Sequence, residues 1–195
     1  MNFLISGVGG QGTVLSSKII AAAFMNKGHD VKTCETIGMA QRGGSVVSHV
    51  RVGSDIHSPL IPLGKADMLI GFEPSETVRM LPYLDPDKKD ATVILSDMSI
   101  MPPLANVSKN HYSKDDMLKY LKENVTNLII LNGQEIIDKC RSAKVLNTAL
   151  IFVAAGTGKM GITPDDVEAV LKNLLKPHLF ELNMKARDIA NMLLK

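Results

Sequence analysis

The chain has no tryptophan, three tyrosines and five phenylalanines, so aromatics make up only 4% of its 195 residues. That scarcity argues against a base-stacking platform for nucleic acid. No sign of charge dominates either. Lys and Arg number 22 and Asp and Glu 20, a net charge of +2 with no basic run, and no nucleic-acid partner is expected. No apolar run approaches the roughly 20 residues of a membrane span. No charged leader precedes the first apolar run, so the expected location is cytoplasmic, without a membrane or signal peptide.

Cysteine is scarce as well. Cys34 and Cys140 stand far apart in sequence, and two thiolates cannot supply the four ligands of an iron–sulfur cluster or a structural zinc site. The histidines at 29, 49, 57, 111 and 178 include no helical i, i+3 or i, i+4 pair. This chain is expected to bind no metal by itself. No Ser/His/Asp or Cys/His constellation emerges, and no catalytic residue can be named.

What is present begins with Gly7-Val8-Gly9-Gly10-Gln11-Gly12. An apolar strand pattern over residues 2–6 precedes it, and a helical pattern over 14–25 follows. Strand, glycine-rich turn and helix start, in that order, form a phosphate cradle: backbone N–H groups come close to an anion and the helix N-terminus adds positive potential. The spacing fits G-x-G-x-x-G. Read as a dinucleotide site, it would use Glu35, at the end of a strand over 31–34, on a ribose hydroxyl. Read more broadly, it would hold another phosphate, such as the pyrophosphate of coenzyme A. Packing alone could also account for the glycines.

Length and a 45% hydrophobic content suit one α/β domain spanning 1–195. The 1–35 segment reads as a β-α-β unit of a parallel sheet. A glycine-rich loop over 36–45 departs from the plain doubly wound pattern. A strand over 45–52, a turn at Gly53-Ser54-Asp55 and a return over 56–63 then predict an inserted β-hairpin. Further strands are expected over 66–72, 92–96 and 127–131, with an extended crossing at Met101-Pro102-Pro103. Helices are expected after Glu73 and Ser113, from Gly133 to Cys140, over 145–155, after Thr163 and through the C-terminal stretch. The overall expectation is a Rossmann-like, mostly parallel sheet with flanking helices and that hairpin.

In the loop, Gln41-Arg42-Gly43-Gly44-Ser45 places a guanidinium among glycines, which suits a carboxylate or phosphate; a solvated turn is the plainer reading. His49 is expected to be a structural histidine. Glu73, before Pro74, stands at a strand's carboxyl end, where open α/β sheets place ligands, and an N-cap or a solvated acid is its plainer reading. Gly156-Thr157-Gly158-Lys159 fails the Walker pattern, because Met160 follows the lysine, and reads as a helix end.

Taken together, the cradle, the run Gly38-Met39-Ala40-Gln41-Arg42-Gly43-Gly44-Ser45-Val46-Val47-Ser48-His49-Val50-Arg51, and the shorter Ser58-Pro59-Leu60-Ile61-Pro62, Ala66-Asp67, Phe72-Glu73-Pro74 and Leu81-Pro82-Tyr83-Leu84 resemble a known family. It is the gamma subunit or gamma domain of the 2-oxoacid:ferredoxin oxidoreductases, in particular the small subunit of the indolepyruvate enzymes. The resemblance is dense over 1–85 and holds in element order beyond.

It implies oxidative decarboxylation of a 2-oxoacid to an acyl-coenzyme A, with electrons passed to ferredoxin. Thiamine diphosphate, magnesium and iron–sulfur clusters are implied on large partner subunits, since no Gly-Asp pair starts a thiamine diphosphate motif here and the cysteines are too few. This chain is then expected to be inactive alone and to complete the active site or coenzyme A region. Gly7, Gly9, Gly10, Gln11 and Gly12, with Gln41, Arg42, Gly43 and Gly44, are the implied cofactor-binding residues, and subunit docking is the second role for the loop. A free-standing NAD-dependent oxidoreductase using Glu35, and a scaffold subunit with an unused cradle, stay open as alternatives.

Overall fold

Strand β1 (Asn2–Val8) lies inside a six-stranded sheet, with β3 (Ser45–Val52) antiparallel on one side and β4 (Met68–Gly71) parallel on the other. Beyond β3, β2 (Val31–Ile37) forms one edge; beyond β4 come β5 (Thr92–Ser96) and β6 (Asn127–Leu131), both parallel. The order is β2-β3-β1-β4-β5-β6 in the computed structural model, which describes residues 1–38, 43–100 and 113–193. Only β3 runs against the rest. The sheet is therefore mostly parallel, as its sequence predicts.

Alternation along β1 feeds two cores. Phe3 and Ile5 face a cluster built with α1 (Thr13–Asn26), α5 (Leu146–Gly156), α6 (Pro164–Leu174) and α7 (Pro177–Leu193). Leu4 faces the opposite cluster, with Leu121 of α3 (Lys114–Asn124) and partly buried Val78 of α2 (Pro74–Met80). Helix α4 (Gly133–Cys140) contributes Ile136 and Cys140 to the first. Residues 146–155 of α5 are all buried, which explains its apolar sequence all round. The predicted helix starts hold: Ser113 accepts from Asp116 N–H, and Thr163 and Asp166 form a reciprocal capping box.

The expected β1-α1-β2 unit is present with its two strands parallel, although β3 lies between them and pairs with both. One expectation is corrected. The hairpin is β2–β3, and β2 extends to Ile37 through that pairing. Residues 56–63 form no strand. Both edges of β3 are already used, so side chains satisfy the return segment: Arg51 Nη1 donates to the Ser58 and Leu60 carbonyls, and Ile61 N–H donates to His49 Nδ1. Pro59 and Pro62, lacking N–H groups, also suit such a path. The expected crossing at 101–103 lies outside the described residues.

Candidate ligand site at the carboxyl ends of β1 and β4

From β1 the chain leaves through α1 toward β2, and from β4 it leaves through α2 toward β5 on the other side. The strand order therefore switches direction between β1 and β4, and open α/β sheets bind ligands at the carboxyl ends beside such a switch. The glycine turn lies there, between Val8 and the start of α1.

Its residues divide the work. A Cβ on Gly7 would stand 2.7 Å from Gln11 Oε1 and 2.9 Å from Phe72 Cβ, so this glycine lets β1, the turn and β4 close together. Gln11 is the pin: Oε1 accepts from Val8 N–H at 2.8 Å and Nε2 donates to the Phe72 carbonyl at 3.2 Å. Gly9 N–H donates to the Gly44 carbonyl at 2.9 Å, tying the turn to the β2–β3 connection. Gly10 (φ +102°) has open space where a side chain would be. Gly12 (φ +91°) is the N-cap of α1 and no side chain caps this helix, leaving its first-turn amides as donors for an incoming acceptor.

Beside the turn, two buried glutamates brace the connection. Glu73 N-caps α2, its Oε2 accepting from Glu76 N–H at 3.0 Å and from Ser75 Oγ. Glu76 Oε2 accepts from Ser45 Oγ at 2.6 Å and Oε1 lies 3.5 Å from Arg79. The first residue of β3 is thus held from α2. Gly43 and Gly44 reach this region, whereas Gln41 and Arg42 lie outside the described residues.

A cavity of about 460 Å³ opens directly from the turn. Gly10, Gln11 and Leu15 form one wall and Asn147, Leu171 and Leu175 another, an apolar lining with few polar atoms. Sequence reading missed Asn147. The signal was an amide near the start of an otherwise apolar helix.

The other sequence candidates fall elsewhere. Glu35 is exposed within β2 and accepts from Ser17 Oγ at 3.1 Å; it lies two strand spacings, roughly 10 Å, from β1. His49 is buried, accepts from Ile61 N–H at 3.2 Å and meets the Tyr83 ring edge-on; burial lowers its pKa. That is the structural histidine its sequence suggests. Lys159 follows the end of α5 and donates to Thr92 Oγ1 at 3.3 Å, away from the turn. Burial raises the pKa of both thiols, with Glu35 adding to the effect at Cys34 and Lys185 opposing it at Cys140. Among the described residues no three His, Cys, Asp or Glu side chains form a metal-binding group, and no helix is long and apolar enough to cross a membrane.

A family model described as pyruvate ferredoxin/flavodoxin oxidoreductase matches residues 2–191. The chain is 38% identical over 187 residues to the indolepyruvate oxidoreductase subunit IorB of Archaeoglobus fulgidus, covering 95% of this chain and 91% of that one. It is 27% identical to the pyruvate/ketoisovalerate oxidoreductases common subunit gamma of Pyrococcus furiosus, covering 92% and 89%. The fold is similar to that of pyruvate oxidoreductase subunit PORC of Thermotoga maritima, with a TM-score of 0.70 at 12% identity over 97% and 94% of the two chains. It is also similar to part of 2-oxoglutarate:ferredoxin oxidoreductase of Magnetococcus marinus, solved with 2-oxoglutarate, coenzyme A and succinyl-CoA bound. There the TM-score is 0.68 at 17% identity, over all of this chain and 31% of that one.

Proposed function

Because this chain belongs to the pyruvate ferredoxin/flavodoxin oxidoreductase family, we propose that its part in 2-oxoacid oxidation is to hold the pyrophosphate of coenzyme A in the glycine turn. The chain is a small, gamma-type subunit of a 2-oxoacid:ferredoxin oxidoreductase, and an aryl-pyruvate such as indolepyruvate is the proposed substrate of the assembly. Thiamine diphosphate, magnesium and iron–sulfur clusters, on large partner subunits, supply decarboxylation and electron transfer to ferredoxin. The gamma-type unit, residues 1–195, positions the acyl acceptor.

The observation that carries this reading is the open face at Gly10, next to the uncapped N-terminus of α1. Gly7, Gly9 and Gln11 keep the turn in shape, Gly10 admits the anion, and Gly12 presents the first-turn amides. Gly43 and Gly44 bring the β2–β3 connection against the turn through the Gly9–Gly44 hydrogen bond. On this reading Gln41 and Arg42 extend the same site. The NAD alternative is disfavoured by the position of Glu35, which β3 separates from the turn and Ser17 engages.

Calorimetric titration of the full chain with coenzyme A and with NADH tests this. Coenzyme A binding that Gly10→Val abolishes is the expected result. Tight NADH binding with no coenzyme A effect overturns it, and full turnover by the isolated chain overturns its place as an accessory subunit.

A further inference from the structure

Strand β2 ends the sheet with an open edge. The Asp30 carbonyl accepts from Gly53 N–H at 3.0 Å, and Gly38 N–H donates to the Ser45 carbonyl at 2.9 Å, so both flanking residues turn toward β3. Backbone direction alternates along a strand. Lys32, Cys34 and Thr36 therefore bond to β3 as well, and Val31, Thr33, Glu35 and Ile37 turn four N–H and four C=O groups outward. Among the described residues nothing pairs with them. Natural edges are often kept short, or carry proline or a bulge, which hinders strand addition. β2 is seven residues long, unbroken in register and without proline, and five of its residues are exposed. The opposite edge, β6, has five residues and none is exposed.

We propose that β2 pairs antiparallel with β2 of a second copy of this chain, joining the two sheets about a two-fold axis at Cys34. Outward groups can bond only to outward groups, so the register that uses the whole strand sets Val31 against Ile37 and Thr33 against Glu35 of the second copy. The side chains suit it. Ile37, 62% exposed, gains Val31 as its cross-strand neighbour, and no like charges stand opposite, since Lys32 meets Thr36 and Glu35 meets Thr33. Helix α1 adds to the seam. Ser17 donates to Glu35, so the stripe Ser17, Ala21 and Met25 lies along β2. Eight helical residues and four strand residues both span roughly 12–13 Å, which brings Met25, 63% exposed, level with Val31 and the apolar pair. A two-fold contact uses up both open edges, so assembly stops at a dimer. The pairing is independent of what the glycine turn binds. It places the two half-buried Cys34 residues in a non-hydrogen-bonded pair with Cα atoms about 4.5 Å apart, within the range of a disulfide.

Sedimentation and light scattering on the full chain test this. At about 50 μM the wild type should behave as a particle of twice the 21.1 kDa of one chain. Thr33→Glu sets a carboxylate opposite Glu35 of the second copy at two symmetry-related places, and should weaken the dimer about tenfold. Adding Glu35→Lys makes both contacts opposite in charge and should restore it. Both positions are exposed, and the rescue separates pairing from misfolding. Mild oxidation with copper–phenanthroline should link two wild-type chains, and neither Cys34→Ser nor Thr33→Glu chains should link. A monomeric wild type, a dimer indifferent to Thr33→Glu, or a dimer that cannot be linked through Cys34 overturns the inference. Hydrogen exchange at Thr33 and Glu35 that slows only when the large subunit is added overturns it too, because the edge then belongs to that subunit.

Discussion

Gln11 spans the crevice to Phe72, donating through Nε2 to its carbonyl at 3.2 Å while Oε1 accepts from Val8 N–H at 2.8 Å. One amide thus joins the end of β1 to the residue after β4, and the glycine turn takes its shape from that bridge. Gln11→Leu keeps the volume and removes both bonds. The expected cost is ~1–3 kcal/mol, from leaving partly buried backbone groups unpaired. By thermal unfolding this is a fall of about 2–10 °C for a chain of this size. An unchanged transition would mean that the turn holds itself.

The glycines of the turn should respond differently to the same change. Gly7→Ala forces Cβ against Gln11 Oε1 and Phe72 Cβ, an overpacking expected to cost ~1–3 kcal/mol. Gly10→Ala meets no atom and should cost only the ~1–2 kcal/mol of a left-handed backbone. Its larger effect should fall on coenzyme A affinity. Denaturant unfolding and calorimetry on the two variants separate packing from binding. A Gly10→Ala chain that binds as well as wild type would remove Gly10 from the site.

Glu76 holds Ser45 at the start of β3. Ser45→Ala and Glu76→Gln should each loosen the connection that Gly44 makes to Gly9. Hydrogen exchange at Gly9 N–H should quicken about tenfold for each 1.4 kcal/mol lost locally, with little change in the centre of β5. Protection at Gly9 that survives both substitutions would show that Glu76 plays no part in placing the turn.

His49 makes a pH prediction. Its folded-state pKa lies below the ordinary 6.5 because burial disfavours the imidazolium. Protonation therefore favours the unfolded chain, and stability should be complete above about 6.5 and fall as pH drops through and below that value. An asparagine side chain at this position offers an amide oxygen to Ile61 N–H and does not titrate, so His49→Asn should flatten the melting temperature between pH 7 and 5. The same slope in wild type and variant would place the titrating group elsewhere.

Asp166 acts with similar sense at lower pH. The hydrogen bond from Thr163 N–H is the main cause of its lowered pKa. Burial opposes it, while the Thr163 hydroxyl and Lys27 assist. The stability it contributes is present above the ordinary 3.8 and lost as pH falls through its folded value. Asp166→Ala should cost about 1 kcal/mol at pH 7, the usual worth of a helix cap. The gap to wild type should close in strong acid, as read by thermal melts at both pH values.

The sequence by itself determined the local elements. Short apolar runs and helical patterns placed β4, β5, β6 and most helices. Ser113 and Thr163 marked helix starts because a side-chain oxygen accepts from the first-turn backbone, an interaction set within four residues. The turn at Gly7–Gly12 was legible for the same reason. Strand partnership was not. Val31–Cys34 gives no sign that β3 will stand between it and β1, because pairing is decided by which edges remain free once the sheet assembles. That choice moved Glu35 away from the turn and left residues 56–63 to the side chains of His49 and Arg51. Asn147 lies 135 residues from Gly12 in the chain, and only the packing of α5 against the sheet and α1 sets its amide over that glycine. Local chemistry made the cradle readable, whereas what stands opposite it depended on tertiary packing, which no short stretch encodes.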